Sequence, residues 1–230
     1  MQPDTSVSTI SAQGLTLQVD FAWSKFCNII NEKAADGHLT PLYIQHFHLT
    51  KPQLRFESAA KKSNIATGVI QSFSIGGKCT IRGREIILKP LKRWKAQYNY
   101  LSHALTSKTN PDPVPVSWIA KSGMKTWDFL CVNSVTQEPI AKFGINNWSL
   151  KQVGNFHFEK SKGEVTEEVR DEVVVTGITM LYIMMVRMQN PLQLLGAVFA
   201  KPGKVEDDGS SAEGTELRER DEGEGKIKRP

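Results

Sequence analysis

Paired cysteines are missing from this 230-residue chain. Cys27, Cys79 and Cys131 are odd in number and far apart, with no C-x-x-C spacing among them. That excludes a disulfide framework and a cysteine-based zinc site, and leaves reduced thiols in an intracellular protein. Long hydrophobic runs are scarce too. The apolar run Val173–Val186 stops at fourteen residues, short of the roughly twenty that span a bilayer. A Gly-rich phosphate loop is absent, because the stretch from Ser74 to Lys78 has neither the length of a P-loop nor its Ser/Thr after the Lys. No G-x-S-x-G nucleophile turn occurs. The N-terminal MQPDTSVSTISAQG lacks the basic and apolar regions of a secretory signal. The expectation is therefore a protein that is not secreted, is not an enzyme and has no cofactor or metal.

What the chain does have is an uneven charge. The net +5 divides into +7 over residues 1–200 and −2 over residues 201–230, where nine Asp/Glu outnumber seven Lys/Arg. A basic body favours anionic partners such as phospholipid head groups or nucleic acid. The plainer alternative is an ordinary charge imbalance of a soluble protein. The tail, rich in Gly, Ser and charge after Pro202-Gly203, is expected to be disordered, as are residues 1–14.

Between these ends the texture is that of short strands. LTLQV alternates from Leu15, and the segment from Trp23 to Ile30 opens a helix or a second strand. After the Asp36-Gly37 turn, PLYIQHFHL reads as a strand with Tyr43, Phe47 and Leu49 on one face. From Ile65 to Ile75, Ile65, Val69, Phe73 and Ile75 alternate with small residues, which predicts one buried face. Gly76-Gly77 then leads into a return strand, Cys79 to Leu88, with Arg82 and Arg84 together on its wet face. LKRWKAQYNYLSHAL fits strand or helix. Beyond the Pro-rich loop at 106–115 come VSWIA, TWDFLCV, PIAKFGI and GNFHFEK, and LQLLGAVFA (192–200) reads as a last strand. Many short antiparallel strands argue for a barrel or sandwich.

The run from Val173 to Val186 is apolar on every helical face, so it must be covered on every side. Glu164, Glu167, Glu168, Asp171 and Glu172 precede it, Arg187 closes it and Pro191 stops it, all in keeping with the helix macrodipole. Val173-Val174-Val175, Thr176 and Gly177 weaken the helix, but the run is too long for a strand of so small a sheet. An antiparallel barrel wrapped around this helix buries the apolar faces of both. A charge placed in it, such as Met184→Lys, should damage stability more than changes on the strands' wet faces.

Several stretches carry a resemblance to a known family. They are PLYIQHFHLTKPQLRF, IATGVIQSFS, IILKPLKRWKAQYNYLSHAL, MKTWDFLCVN, EPIAKFGINNWSLKQVGNFHF and, above all, DEVVVTGITMLYIMMVRMQN. The chain resembles the tubby C-terminal-like superfamily over roughly residues 20–200. That superfamily takes in phospholipid scramblases, plant LURP-one-related proteins and a fungal set, to which this chain looks closest. The resemblance implies a mainly β fold, a closed antiparallel barrel of about twelve strands around a central hydrophobic C-terminal helix. The domain would span 15–200 with its core helix at about 167–189, between a disordered N-terminus (1–14) and tail (201–230).

Candidate site residues are few. His46 and His48 share one side of a strand but have no Cys, Asp or Glu at ligand spacing, which favours structural histidines. The basic cluster is the better candidate: Arg82 and Arg84, then Lys89, Lys92, Arg93 and Lys95 around Trp94. Cations with an interleaved indole suit a phosphoinositide or an acidic membrane surface. The plainer alternative is a solvated strand face with Trp94 turned inward. The resemblance favours the lipid reading, since tubby proteins bind phosphoinositides and scramblases act at membranes. It assigns no residues, and the acidic calcium-type segment and palmitoylated cysteine run associated with scramblases are not visible. Three readings stand: a cytoplasmic barrel with peripheral membrane association, an interaction barrel without lipid affinity, and a scramblase-like protein anchored by 173–186. Nucleic acid is the less favoured partner, and protein partners are unspecified.

Overall fold

The computed structural model describes residues 14–71, 75–92, 97–106, 111–123, 126–146, 149, 151–159, 165–189 and 203. Twelve strands follow one another: β1 (Thr16–Ala22), β2 (Cys27–Lys33), β3 (Leu39–Phe47), β4 (Leu54–Ser58), β5 (Asn64–Ile70), β6 (Gly77–Ile81), β7 (Arg84–Pro90), β8 (Gln97–Ser102), β9 (Val114–Gly123), β10 (Thr126–Asn133), β11 (Pro139–Ile145) and β12 (Gln152–Phe158). Each pairs with its sequence neighbour, and β1 pairs with β12, closing the barrel. The helix α1 (Glu167–Gln189) follows. The mainly β barrel expected from the sequence is the fold observed.

Every pairing is antiparallel, so successive connections alternate between the barrel's two ends. The β2–β3, β4–β5, β6–β7, β8–β9 and β10–β11 connections share one end with the start of α1, here the N-end. The β1–β2, β3–β4, β5–β6, β7–β8, β9–β10 and β11–β12 connections lie at the other, the C-end, toward which α1 runs.

Side chains alternate across each strand, and one set from every strand enters the lumen. Leu17, Val19, Leu54, Phe56, Ile86, Leu88, Phe129, Phe143 and Phe156 are all buried there. The helix fills the remaining space: every residue from Asp171 to Leu181, and Ile183, is buried. Thr166 caps it, accepting Val169 N–H at its hydroxyl (3.3 Å) and Arg170 N–H at its carbonyl (3.0 Å). The β-branched residues that weaken this helix cost less than about 0.7 kcal/mol each. Burying each large side chain contributes roughly 1.5–3 kcal/mol, so packing decides the conformation. Among the described residues no helix is long and apolar enough to cross a membrane. The segment 173–186, considered above as an anchor, occupies the lumen.

The lumen is asymmetric. A Cβ built on Gly68 of β5 would lie 2.5 Å from Thr179 Oγ1, and one on Gly77 of β6 would lie 2.5 Å from Ile183 Cδ1. On the far side large rings fill the gap, with Phe143 and Phe156 stacked at 3.9 Å and Trp118 edge-on to Phe156 at 6.5 Å. This inverts the expectation for β5. Ala66 and Gly68 are buried, while Ile65 and Val69 are only half-buried on the other face, because α1 passes too close for larger inward residues. Phe73 of the same pattern lies outside the described residues.

Other differences are local. The expected return strand from Cys79 to Leu88 breaks at Arg82-Gly83 into β6 and β7, and both turn residues have positive φ (49° and 83°). This is the backbone of a two-residue hairpin turn. Leu49 lies beyond the end of β3 and is fully exposed rather than facing inward with Tyr43. Residues 97–102 form a strand rather than a helix, and β4 is a strand of only five residues that the sequence pattern does not single out. The strand expected at 192–200 lies outside the described residues, as do residues 1–13 and 204–230 of the expected disordered ends.

Candidate functional site

Four of the seven residues of the basic cluster, Arg82, Arg84, Lys89 and Lys92, are described, and they divide between the two ends of β7. Arg82 sits in the β6–β7 turn at the N-end, not on the wet face of a strand, and folds onto the start of α1. It donates from Nε (2.9 Å) and Nη2 (2.7 Å) to Asp171 Oδ2, pairs with Glu167 at 2.7 Å and approaches Glu168 at 3.8 Å. Tyr43 donates its hydroxyl to Asp171 Oδ1 at 2.5 Å and accepts from Arg170 Nε at 2.7 Å. Asp171 is 1% exposed, so Arg82 and Tyr43 supply the partners that a buried carboxylate requires. Arg82 is thus held by three carboxylates, and the pairing raises its already high pKa, the hydrogen bond to Asp171 being the main cause.

Arg84, exposed at the start of β7, borders a cleft of about 470 Å³ with Arg82, His103, Glu168 and Glu172. Glu172 is buried and accepts the Ala104 N–H at 3.3 Å. Burial pushes its carboxyl above the usual range, and hydrogen bonds from Ser102, Ala104 and His103, with the nearby Arg84 charge, oppose the shift. The sequence reading gave Asp171 and Glu172 only a macrodipole role. Their enclosure inside the barrel mouth could not be read from the chain alone.

Lys89 and Lys92 lie near or at the C-end, with six residue steps of β7 between Arg84 and Pro90, roughly 20 Å of extended chain. Lys92 is exposed. Arg93, Trp94 and Lys95 lie outside the described residues. His46 pairs with Glu57 (3.5 Å), while His48 follows the end of β3. Among the described residues no group of three or more His, Cys, Asp or Glu is placed to hold a metal. Burial raises the Cys79 thiol to about 12 and Cys131 higher still, so neither behaves as a nucleophile.

The C-end has a distinct character. Among the described residues of its six turns, Lys25, Lys51, Lys92 and Lys151 are exposed and none is Asp or Glu. The complete turn sequences, WSKF, HLTKPQ, QSFSIG, LKRWKA, MK and NNWSLK, also contain no carboxylate. The N-end differs, with Asp36, Asp112, Glu138 and Glu159 in or beside its turns. Two adjacent C-end turns also expose large apolar side chains: Trp23 is 65%, Phe26 63% and Leu49 104% exposed. Sequence reading missed this clustering because it depends on which turns share an end. Numbering the strands in meander order would have revealed it.

No family model, no curated protein and no solved structure matches the chain.

Proposed function

We propose that this chain is a non-enzymatic, tubby-like barrel that docks peripherally on an anionic phospholipid surface inside the cell, with its C-end facing the membrane. The observation that carries the reading is the segregation of charge, four exposed lysines and no carboxylate among the described residues of six turns at one end. A cation held near an anionic bilayer contributes roughly 1 kcal/mol. Four acting together therefore correspond to about a thousandfold gain in partitioning over a neutral bilayer. At the N-end the exposed cations, Lys61 and Lys62 among them, are interspersed with Asp36, Asp112, Glu138 and Glu159, so the C-end is the end more strongly attracted. The resemblance to a superfamily with phosphoinositide-binding members adds support.

The test is flotation of the full chain with phosphatidylcholine vesicles alone, with added phosphatidylserine, and with added phosphoinositide. Binding is expected with either anionic lipid and should fall steeply with salt, because the contacts are exposed. A phosphoinositide preference at equal total charge would mark a specific head-group site. Absence of binding to all three at low salt would overturn the reading in favour of an interaction barrel without lipid affinity.

A further inference from the structure

The reading above concerns charge, which holds a protein at a bilayer without inserting anything into it. The β1–β2 and β3–β4 turns carry a different signal. Of the five exposed large hydrophobics among the described residues, Trp23, Phe26 and Leu49 lie at the C-end, on neighbouring turns, while Ile87 and Val135 lie elsewhere. Phe26 is also held at φ 47°, a backbone region that costs a non-glycine residue about 1–2 kcal/mol. Neither the strain nor the exposure of the ring stabilises the barrel.

The two projecting rings, Trp23 and Phe26, are packed against other aromatic side chains. Phe21 meets Trp23 edge-on at 4.8 Å and Phe26 at 5.6 Å. Phe26 packs against Phe47 at 5.5 Å, and Phe47 meets Tyr182 of α1 at 4.9 Å. Tyr182 in turn accepts a hydrogen bond from buried Asn28 at 2.8 Å. A chain of rings thus runs from the solvent-facing edge to the core helix. Lys25 lies between Trp23 and Phe26 in sequence, and Lys51 follows Leu49 by two residues; both are exposed. An indole with aliphatic and phenyl neighbours, bracketed by lysines, matches the layering of a bilayer interface, where apolar groups meet acyl chains and cations meet phosphates.

We infer that Trp23, Phe26 and Leu49 form an insertion edge that enters the interfacial layer of an anionic bilayer, tilting the barrel onto its β1–β4 side. The inference rests on the docking reading for its charge component and adds a salt-resistant apolar one. The occupant is a lipid bilayer: the turns project outward rather than lining a groove, and their cations suit phosphate.

The three native cysteines are buried, so Leu49→Cys accepts an environment-sensitive fluorophore selectively. In the labelled full chain, phosphatidylserine-containing vesicles should shift the emission to the blue and shield the dye from aqueous iodide. The variant Trp23→Ser/Phe26→Ser/Leu49→Ser, checked for unchanged thermal unfolding, should bind such vesicles at least about tenfold more weakly. It should also lose the binding that survives high salt. If wild type binds but the dye stays aqueous and the triple variant binds equally, the insertion edge is overturned while charge docking stands. If binding and the blue shift occur equally on neutral vesicles, insertion stands and the charge reading fails. No binding at all overturns both. A blue shift that grows with protein concentration in the absence of vesicles assigns the edge to a second copy of the chain and overturns the proposal.

Discussion

At the scale of single residues, the most consequential placements are those of Glu172, Arg82 and Gly177. The folded-state pKa of Glu172 lies above its unfolded value, so the native state binds its proton more tightly. Its favourable contribution is full below the unfolded carboxylate pKa and fades as pH rises through the raised one. Glu172→Gln removes that dependence. The variant should gain stability relative to wild type as pH rises from below the ordinary carboxylate range to above it, read as the difference in denaturant midpoints, and parallel pH curves would contradict this. Arg82 neutralises a buried Asp171 but is itself 41% exposed at its side chain. Arg82→Met should therefore cost about 2–3 kcal/mol, below the full penalty for an orphaned buried charge. The double variant Arg82→Met/Asp171→Leu should recover much of that loss in a mutant cycle. At Gly177 a Cβ would meet Phe156 Cε1 at 2.8 Å and Trp118 Cζ2 at 3.0 Å. Gly177→Ala, which improves helix propensity, should nevertheless destabilise by about 1–3 kcal/mol in chemical unfolding.

At the scale of elements, α1 sets the rules for the strands around it. Where the helix runs close, β5 and β6 present Ala66, Gly68 and Gly77; where it stands off, Trp118, Phe143 and Phe156 fill the space. A pattern analysis that takes the larger residues as the buried face therefore reads β5 inside out. The same geometry grades the helix along its length. Met180 is fully buried, whereas Met184 is only half-buried toward the C-end. Met180→Lys is expected to abolish cooperative thermal unfolding, because it would place a cation at a fully buried position. Met184→Lys should be milder, since a lysine stem there can carry its charge toward solvent. The damage expected of Met184→Lys from the sequence is thus better assigned to Met180. Equal melting curves for the two variants would argue against a graded lumen.

At the scale of the whole molecule, the barrel sorts charge by end. Charge reversal at the C-end, Lys25→Glu/Lys51→Glu/Lys92→Glu, should leave the melting temperature within a few degrees of wild type, since all three side chains are exposed. It should abolish flotation with anionic vesicles. The same number of reversals at exposed N-end lysines, Lys33→Glu/Lys61→Glu/Lys62→Glu, should leave flotation intact. Equal loss from both ends would mean that net charge, not orientation, governs binding.

Much of this molecule was legible in the chain. The period-2 strands, the uncharged helix with carboxylates before it and Arg187 after it, and the need of each for the other follow from hydrophobic patterning, which is local. The unpaired thiols and the absence of phosphate-loop and nucleophile motifs are equally local. Only the tertiary structure decided that Arg82 belongs to Asp171 rather than to Lys89 and Lys92, because the extended length of β7 carries those lysines to the opposite end of the barrel. Only the closed meander decided that six turns from 23 to 151 share an end, so that the exposed Lys25, Lys51, Lys92, Lys151, Trp23 and Phe26 all belong to it. Charge and exposure act through space, and the barrel brings together residues that are far apart in sequence.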